Sequence, residues 1–250
     1  MTRTIGAPFR AVLAEFVGTA LLVTVVVGSG IAAAQLSPGD AGLQLLENSI
    51  ATTFGLFVLI LLFGPVSGAH FNPVVSAADW LLDRRADARI TIGSVVAYAA
   101  AQVSGGIIGA VLANVMFDRT ALEISTKDRL TTGHFIGEVV ATAGLIAVIF
   151  ALARTGRAAL SAAAVGAYIG AAYWFTSSTS FANPAVTVGR MFSDSFAGIA
   201  PSSVLPFIAA QIVGALIGLA LVVALYPDAA RSADQAVIPH ERHISESGGS

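Results

Sequence analysis

The sequence has no cysteine, and only 11% of its 250 residues are charged. The first absence excludes disulfides, thiolate metal sites and thiol catalysis, and it leaves the redox compartment open. The second excludes an ordinary soluble surface, for which about 25% charged residues is usual. Lys and Arg number 13 against 15 Asp and Glu, a net charge of −2, with no basic stripe and no basic residues interleaved with aromatics. Nucleic acid is therefore not an expected partner. The patterns Gly-x-Ser-x-Gly, His-Glu-x-x-His and the phosphate-binding loop are also missing. The stretch "GRAALSAAAVGA" offers glycines and a serine but no catalytic spacing, so no enzyme, metal site or cofactor is expected.

What the chain has in abundance is apolar length. It is 56% hydrophobic with a mean hydropathy of +0.81. Charge-free runs at 16–39, 48–78, 90–117, 158–189 and 195–227 each exceed the ~20 residues that span a bilayer, and 135–153 holds only Glu138. The first run resembles a secretory signal, with basic residues ahead of it and "AAAQ" behind. It is longer than the roughly 7–15 residues of a signal core and carries Glu15, which favours a first transmembrane helix. Six spans are placed at 9–35, 48–65, 89–115, 134–153, 158–178 and 203–226, with short helices at 72–81 and 183–192. Six spans put both termini on one side. The arginine bias makes that side cytoplasmic, with Arg3, Arg10, Arg84, Arg85, Arg89, Arg154, Arg157, Arg231 and Arg242 against Arg119, Lys127, Arg129 and Arg190. Residues 227–250 form a polar, Ser/Gly-rich tail containing His240 and His243, expected to be disordered.

The chain repeats itself. "AEFVGTALLV" (14–23) returns as "GEVVATAGLI" (137–146), "HFNPVVS" (70–76) as "FANPAVT" (181–187), and "AQVSGGIIGAVL" (101–112) as "AQIVGALIGLAL" (210–221). Each half, 9–115 and 134–226, holds three spans, so the second half enters the membrane inverted. Interrupted apolar segments at matching places of inverted halves point to a pathway at the bilayer midplane. The interruptions are Asn72-Pro73-Val74 and Asn183-Pro184-Ala185. Proline suits the first helical turn and asparagine the N-cap, so each pair starts a half-helix inside the membrane. The preceding segments, "GPVSGAH" and "TSSTSFA", are small and polar. Extended backbone of this kind persists at membrane depth only where protein buries it or water wets it. Two half-helices entering from opposite faces bring their positive dipole ends together, repelling cations while offering donors to neutral solutes.

The duplicated Asn-Pro motifs, "SGAHFNP", the "EFVGT" opening and the paired Ala-Gln segments resemble the aquaporin and aquaglyceroporin family of major intrinsic proteins over residues 9–226. That resemblance implies an all-α membrane protein, six transmembrane helices plus two re-entrant half-helices in an inverted repeat. It also implies one channel domain over 1–250, a homotetramer in the lipid bilayer of a bacterial plasma membrane, and passive flux of small neutral solutes.

Two departures stand out. The first motif ends in Val74 rather than alanine, and the position after the second motif, arginine in most of the family, is Val186. Counting without gaps from the asparagines, the other filter positions map to Thr52, Ala171 and Ser180, all small. The expected filter is wide, uncharged and weakly amphipathic. Together with "FSDSFAGIAP" (192–201) it resembles the bacterial arsenic-resistance branch, which implies passage of arsenous acid and glycerol-like polyols, with water permeation possible. The readings left beside it are an ordinary water or glycerol channel, a proton-coupled secondary transporter, and a purely structural membrane protein.

The remaining polar residues carry two readings each. Glu15 and Glu138 either accept hydrogen bonds from the re-entrant backbone or relay protons. His70 either lines the pore or senses pH, with no second metal ligand near it in sequence. His134 either ends a helix on the outer side or gates the pore. Gln102 and Gln211 are helix-helix partners, and the neighbouring glycines allow close crossings. Arg190, one helical turn beyond Val186, either rims the outer vestibule or pairs with a lipid headgroup or loop.

Overall fold

The computed structural model describes residues 6–83 and 91–227. Those residues form eight α-helices: α1 (Gly6–Leu36), α2 (Ala41–Ser67), α3 (Pro73–Asp83), α4 (Ile92–Met116), α5 (Thr132–Arg154), α6 (Ser161–Phe175), α7 (Pro184–Arg190) and α8 (Pro201–Leu225). Five of them, and α6 together with the 3-10 turn that leads into it (Ala158–Phe175), are long and apolar enough to cross a membrane, and α3 and α7 are the short pair. Large apolar side chains such as Phe54, Leu62, Leu205 and Leu225 point outward, exposed, as a lipid-facing surface demands. The chain is an integral membrane protein. The tail at 228–250, with His240 and His243, and the basic segment around Arg84, Arg85 and Arg89 lie outside the described residues.

Helix starts follow their caps. Thr91 accepts from the Ser94 N–H at 3.1 Å and opens α4, and Thr131 accepts from the His134 N–H at 3.1 Å and opens α5. The His134 ring also bonds the Arg129 carbonyl at 2.8 Å, anchoring the loop before α5. Helix α2 starts at Ala41, seven residues before the expected 48, because Asp40 caps the Leu43 N–H at 2.9 Å. The polar residues that made this turn look non-helical are tied down. Gln44 donates to the Ser37 carbonyl at 2.8 Å, and Ser37 donates to Glu47 at 2.7 Å.

The two halves cross in the same way. In the first, Gly105 and Gly109 of α4 lie on the Phe16 and Ala20 carbonyls of α1; in the second, Gly214 and Gly218 of α8 lie on the Val139 and Ala143 carbonyls of α5. A β-carbon at Gly214 or Gly218 would stand 2.5 Å from a carbonyl oxygen, so glycine sets the interhelical distance. These two crossings pin the long helices and leave α3 and α7 to meet between them.

Candidate solute pathway

The half-helices meet head to head through their asparagines. Asn72 Oδ1 accepts from the Val74 N–H at 3.1 Å, and Asn183 Oδ1 accepts from the Ala185 and Val186 N–H groups at 2.9 and 3.3 Å. The amides reach across: Asn72 donates to the Ala182 carbonyl at 2.8 Å, and Asn183 donates to the Phe71 carbonyl at 2.7 Å. Each amide keeps a second N–H that no described residue accepts, and both asparagines line the same cavity.

The backbone leading into each asparagine is held in an unusual shape. The residues three and one before it have left-handed φ in both halves: Ala69 at 49° and Phe71 at 50°, then Ser180 at 49° and Ala182 at 47°. For residues with a β-carbon this costs roughly 1–2 kcal/mol each. Buried carboxylates hold it. Glu15 accepts from Ser67 Oγ (2.6 Å), the His70 N–H (2.9 Å), the Phe71 N–H (2.6 Å) and Gln102 Nε2 (2.7 Å). Glu138 accepts from Ser178 Oγ (2.7 Å), the Phe181 N–H (2.8 Å), the Ala182 N–H (2.9 Å) and Gln211 Nε2 (2.7 Å). Gln102 also reaches Ser76 at 3.0 Å, and Gln211 reaches Thr187 at 2.8 Å. With four donors each, these glutamates have their lone pairs filled and tie the re-entrant backbone to the long helices.

Past the asparagines runs a cavity with about 750 Å³ of space free of protein atoms. Its lining combines apolar residues, Leu22, Leu56, Ile60, Leu145 and Val165 among them, with the polar residues His70, Asn72, Asn183, Ser180, Tyr173 and Arg190. Thr52, Ser180 and Val186 all line it. Ala171 does not: it is exposed on α6, and Tyr173 lines the cavity instead, its hydroxyl 3.1 Å from that of Thr52. The ungapped count from Asn183 assumed the family's spacing between α6 and α7. Two residues turn an α-helix by about 200°, so a slip of two exchanges the pore face for the outer face. The lining is consequently less uniformly small than the expected filter, since Phe181 and Arg190 face it too.

Arg190 is only 2% exposed. Its Nε donates to the Ala197 carbonyl, and its guanidinium lies 3.4 Å from the centre of the Phe181 ring. Sequence reasoning left a vestibule and a loop contact as alternatives; the side chain makes the loop contact and also lines the cavity. The same loop is gripped from its other side, where Lys127 donates to the Phe196 carbonyl (2.8 Å) and Arg129 to the Gly198 carbonyl (2.8 Å). Burial, aided by the charges of Arg129 and Arg190, pushes the Lys127 ammonium down to about 8. At the opposite end His70 bonds Ser76 through Nδ1 (3.0 Å) and stands 3.5 Å from Asp79 through Nε2. Sequence reasoning missed Asp79. It sits seven residues after Asn72, on α3 with Ser76, and that i, i+3 spacing was the signal available.

The chain matches the family model for the major intrinsic proteins over residues 2–178 and 160–248. It belongs to that family. As a major intrinsic protein it is 48% identical to aquaglyceroporin AqpS of Rhizobium meliloti over 212 residues, which cover 85% of this chain and 88% of AqpS. It is 33% identical to a glycerol uptake facilitator protein of Pseudomonas aeruginosa over 172 residues, covering 60% of this chain and 59% of that one. The fold matches the crystal structure of the aquaglyceroporin from Plasmodium falciparum with a TM-score of 0.59, at 21% identity, over 88% of this chain and 96% of that one. A major intrinsic protein is a passive channel and not an enzyme.

Proposed function

We propose that this channel conducts small neutral polyhydroxylated solutes, glycerol-like polyols and arsenous acid, down their gradients, with water permeating beside them. The observation that carries this reading is the lining. Apolar side chains share the cavity with spare amide N–H groups on Asn72 and Asn183, and the Ser161 and Ser180 hydroxyls on that cavity have no hydrogen-bond partner among the described residues. A solute with several oxygens and some carbon, or a compact neutral trihydroxide, finds donors at these groups and loses little against the apolar part of the lining. A small ion finds no charge of opposite sign at the centre to replace its hydration. Val186, in place of a charged side chain, leaves width at the level of Thr52 and Tyr173. The name of the relative AqpS supports the polyol part of this reading, and the arsenous acid part rests on Val186 and the small residues near it.

Stopped-flow light scattering on proteoliposomes tests the reading. The wild type is expected to pass glycerol and arsenous acid without saturation. Val186→Arg should lower both at least tenfold while lowering water flux far less. Saturable flux that needs a proton gradient would instead indicate a coupled transporter, and wild-type vesicles passing water alone would reduce the protein to a water channel.

Tyr173 gives a second test of where the pathway narrows. Tyr173→Ala is expected to raise the flux of polyols larger than glycerol severalfold. Ala171→Leu, on the outer face, should leave glycerol flux unchanged. The reverse pattern would return the narrow point to residue 171.

The working assembly we infer is a homotetramer in a bacterial plasma membrane with both termini cytoplasmic. Support comes from family membership, from the bacterial relatives and from the arginine bias of the loops. Native mass spectrometry from detergent reads the subunit count directly.

A further inference from the structure

Arg190 is a buried cation with no carboxylate within ion-pair distance among the described residues; the charge of Glu138 reaches it from farther off, and that carboxylate is already taken by four other donors. Its near neighbours are the Ala197 carbonyl, the face of Phe181 and two further cations across the loop, Lys127 and Arg129. Burying a charge without an adjacent counter-charge is strongly unfavourable unless something else solvates it. Nη1 and Nη2 make no hydrogen bond with any described residue, and Arg190 lines the cavity. The solvating partner is therefore the cavity's own content, water or a passing solute oxygen. Ser180 adds a second unpaired donor on the same lining, 3% exposed. Val186 and Arg190 are four residues apart on α7, so they share a face at successive turns. The charge of Arg190 therefore stands one helical turn away from Val186.

We propose that Arg190 is a specificity-determining residue of this channel, excluding cations electrostatically and offering guanidinium N–H groups to the oxygens of neutral solutes. Width and charge are then set at two separate levels, Val186 and Arg190, one helical turn apart. Lys127 and Arg129 hold the loop whose Ala197 carbonyl fixes the guanidinium, and Phe181 stacks beneath it, so the charge cannot swing out of the pathway. This rests on the channel reading of the cavity above.

The test measures proton and sodium influx into proteoliposomes under an imposed potential, beside glycerol flux in the same vesicles. Arg190→Met is expected to raise cation influx at least tenfold, and Arg190→Lys to stay near wild type. The double variant Arg190→Met/Val186→Arg moves the charge one turn inward. It should restore cation exclusion while cutting glycerol flux, an effect that a purely loop-anchoring Arg190 would not produce. Should the methionine variant fail to assemble as monodisperse protein, Arg190→Gln, which keeps a donor for the Ala197 carbonyl, is read in the same way. The proposal is overturned if an assembled, glycerol-conducting Arg190→Met or Arg190→Gln excludes cations as well as wild type, or if relocating the charge restores nothing. Failure of the channel reading itself shows separately, as wild-type vesicles that pass no neutral solute.

Discussion

Glu138→Ala is expected to abolish the accumulation of folded channel, lowering the yield of monodisperse protein at least tenfold. Four donors lose their acceptor at once: the Ser178 hydroxyl, the Phe181 and Ala182 N–H groups and the Gln211 amide. Each buried unsatisfied donor costs about 1–3 kcal/mol. Their sum is comparable with the ~5–15 kcal/mol that holds a typical protein folded. The left-handed residues Ser180 and Ala182 also lose what holds them there. Glu138→Gln should fall between, because its amide oxygen can keep one side of the network while its NH₂ confronts donors on the other. Yield and melting temperature in detergent measure both variants. A Glu138→Ala protein that melts like wild type and still conducts glycerol would remove the structural role, and a wild-type-like Glu138→Gln with altered proton coupling would revive the relay.

The second large effect is at a crossing. Gly218→Leu is expected to prevent assembly of the second half, because the first added carbon already stands 2.5 Å from the Ala143 carbonyl oxygen. That oxygen belongs to a helix backbone and cannot rotate away, so α5 and α8 must separate. Overpacking of this kind costs about 1–3 kcal/mol when side chains can yield, and more here. Gly93→Ala on α4 is the control: its new β-carbon meets nothing nearer than the Thr91 hydroxyl at 3.6 Å. Alanine in place of a helical glycine contributes about 0.5–1 kcal/mol, so this control should melt slightly higher. Equal melting temperatures for the two variants would mean that the crossing distance does not matter.

The parts of this protein legible in its sequence are those where polarity interrupts an apolar background. Glu15, Glu138, Gln102, Gln211 and the Asn-Pro pairs stood out because a bilayer-spanning chain has little reason to carry them, and their repetition at matching offsets gave the architecture. Helix phase was not legible. Whether residue 171 or 173 faces the pathway depends on the length of the turn between α6 and α7, and alanine and tyrosine are both ordinary in an apolar helix. The start of α2 was hidden because Gln44 and Glu47 look like loop residues until Ser37 is seen to bond both. Asp79 was overlooked at the edge of a charge-free run, where its relation to His70 depends on the sharp entry into α3. The alternating left-handed residues had no sequence signature at all, since alanine, phenylalanine and serine all occupy them.

The exchange of amide bonds between Asn72 and Asn183 bears on how the chain is made. During synthesis the first half leaves the ribosome before residue 183 exists, so the Phe71 carbonyl has no partner and the Asn72 amide has nowhere to reach. The first re-entrant segment therefore cannot reach its final bonding until the second half has been translated and inserted. Until then it must remain wetted or be sheltered by the insertion machinery. The two halves are thus each other's last folding step, and a nascent chain stopped between α4 and α5 is an incomplete channel rather than half of one.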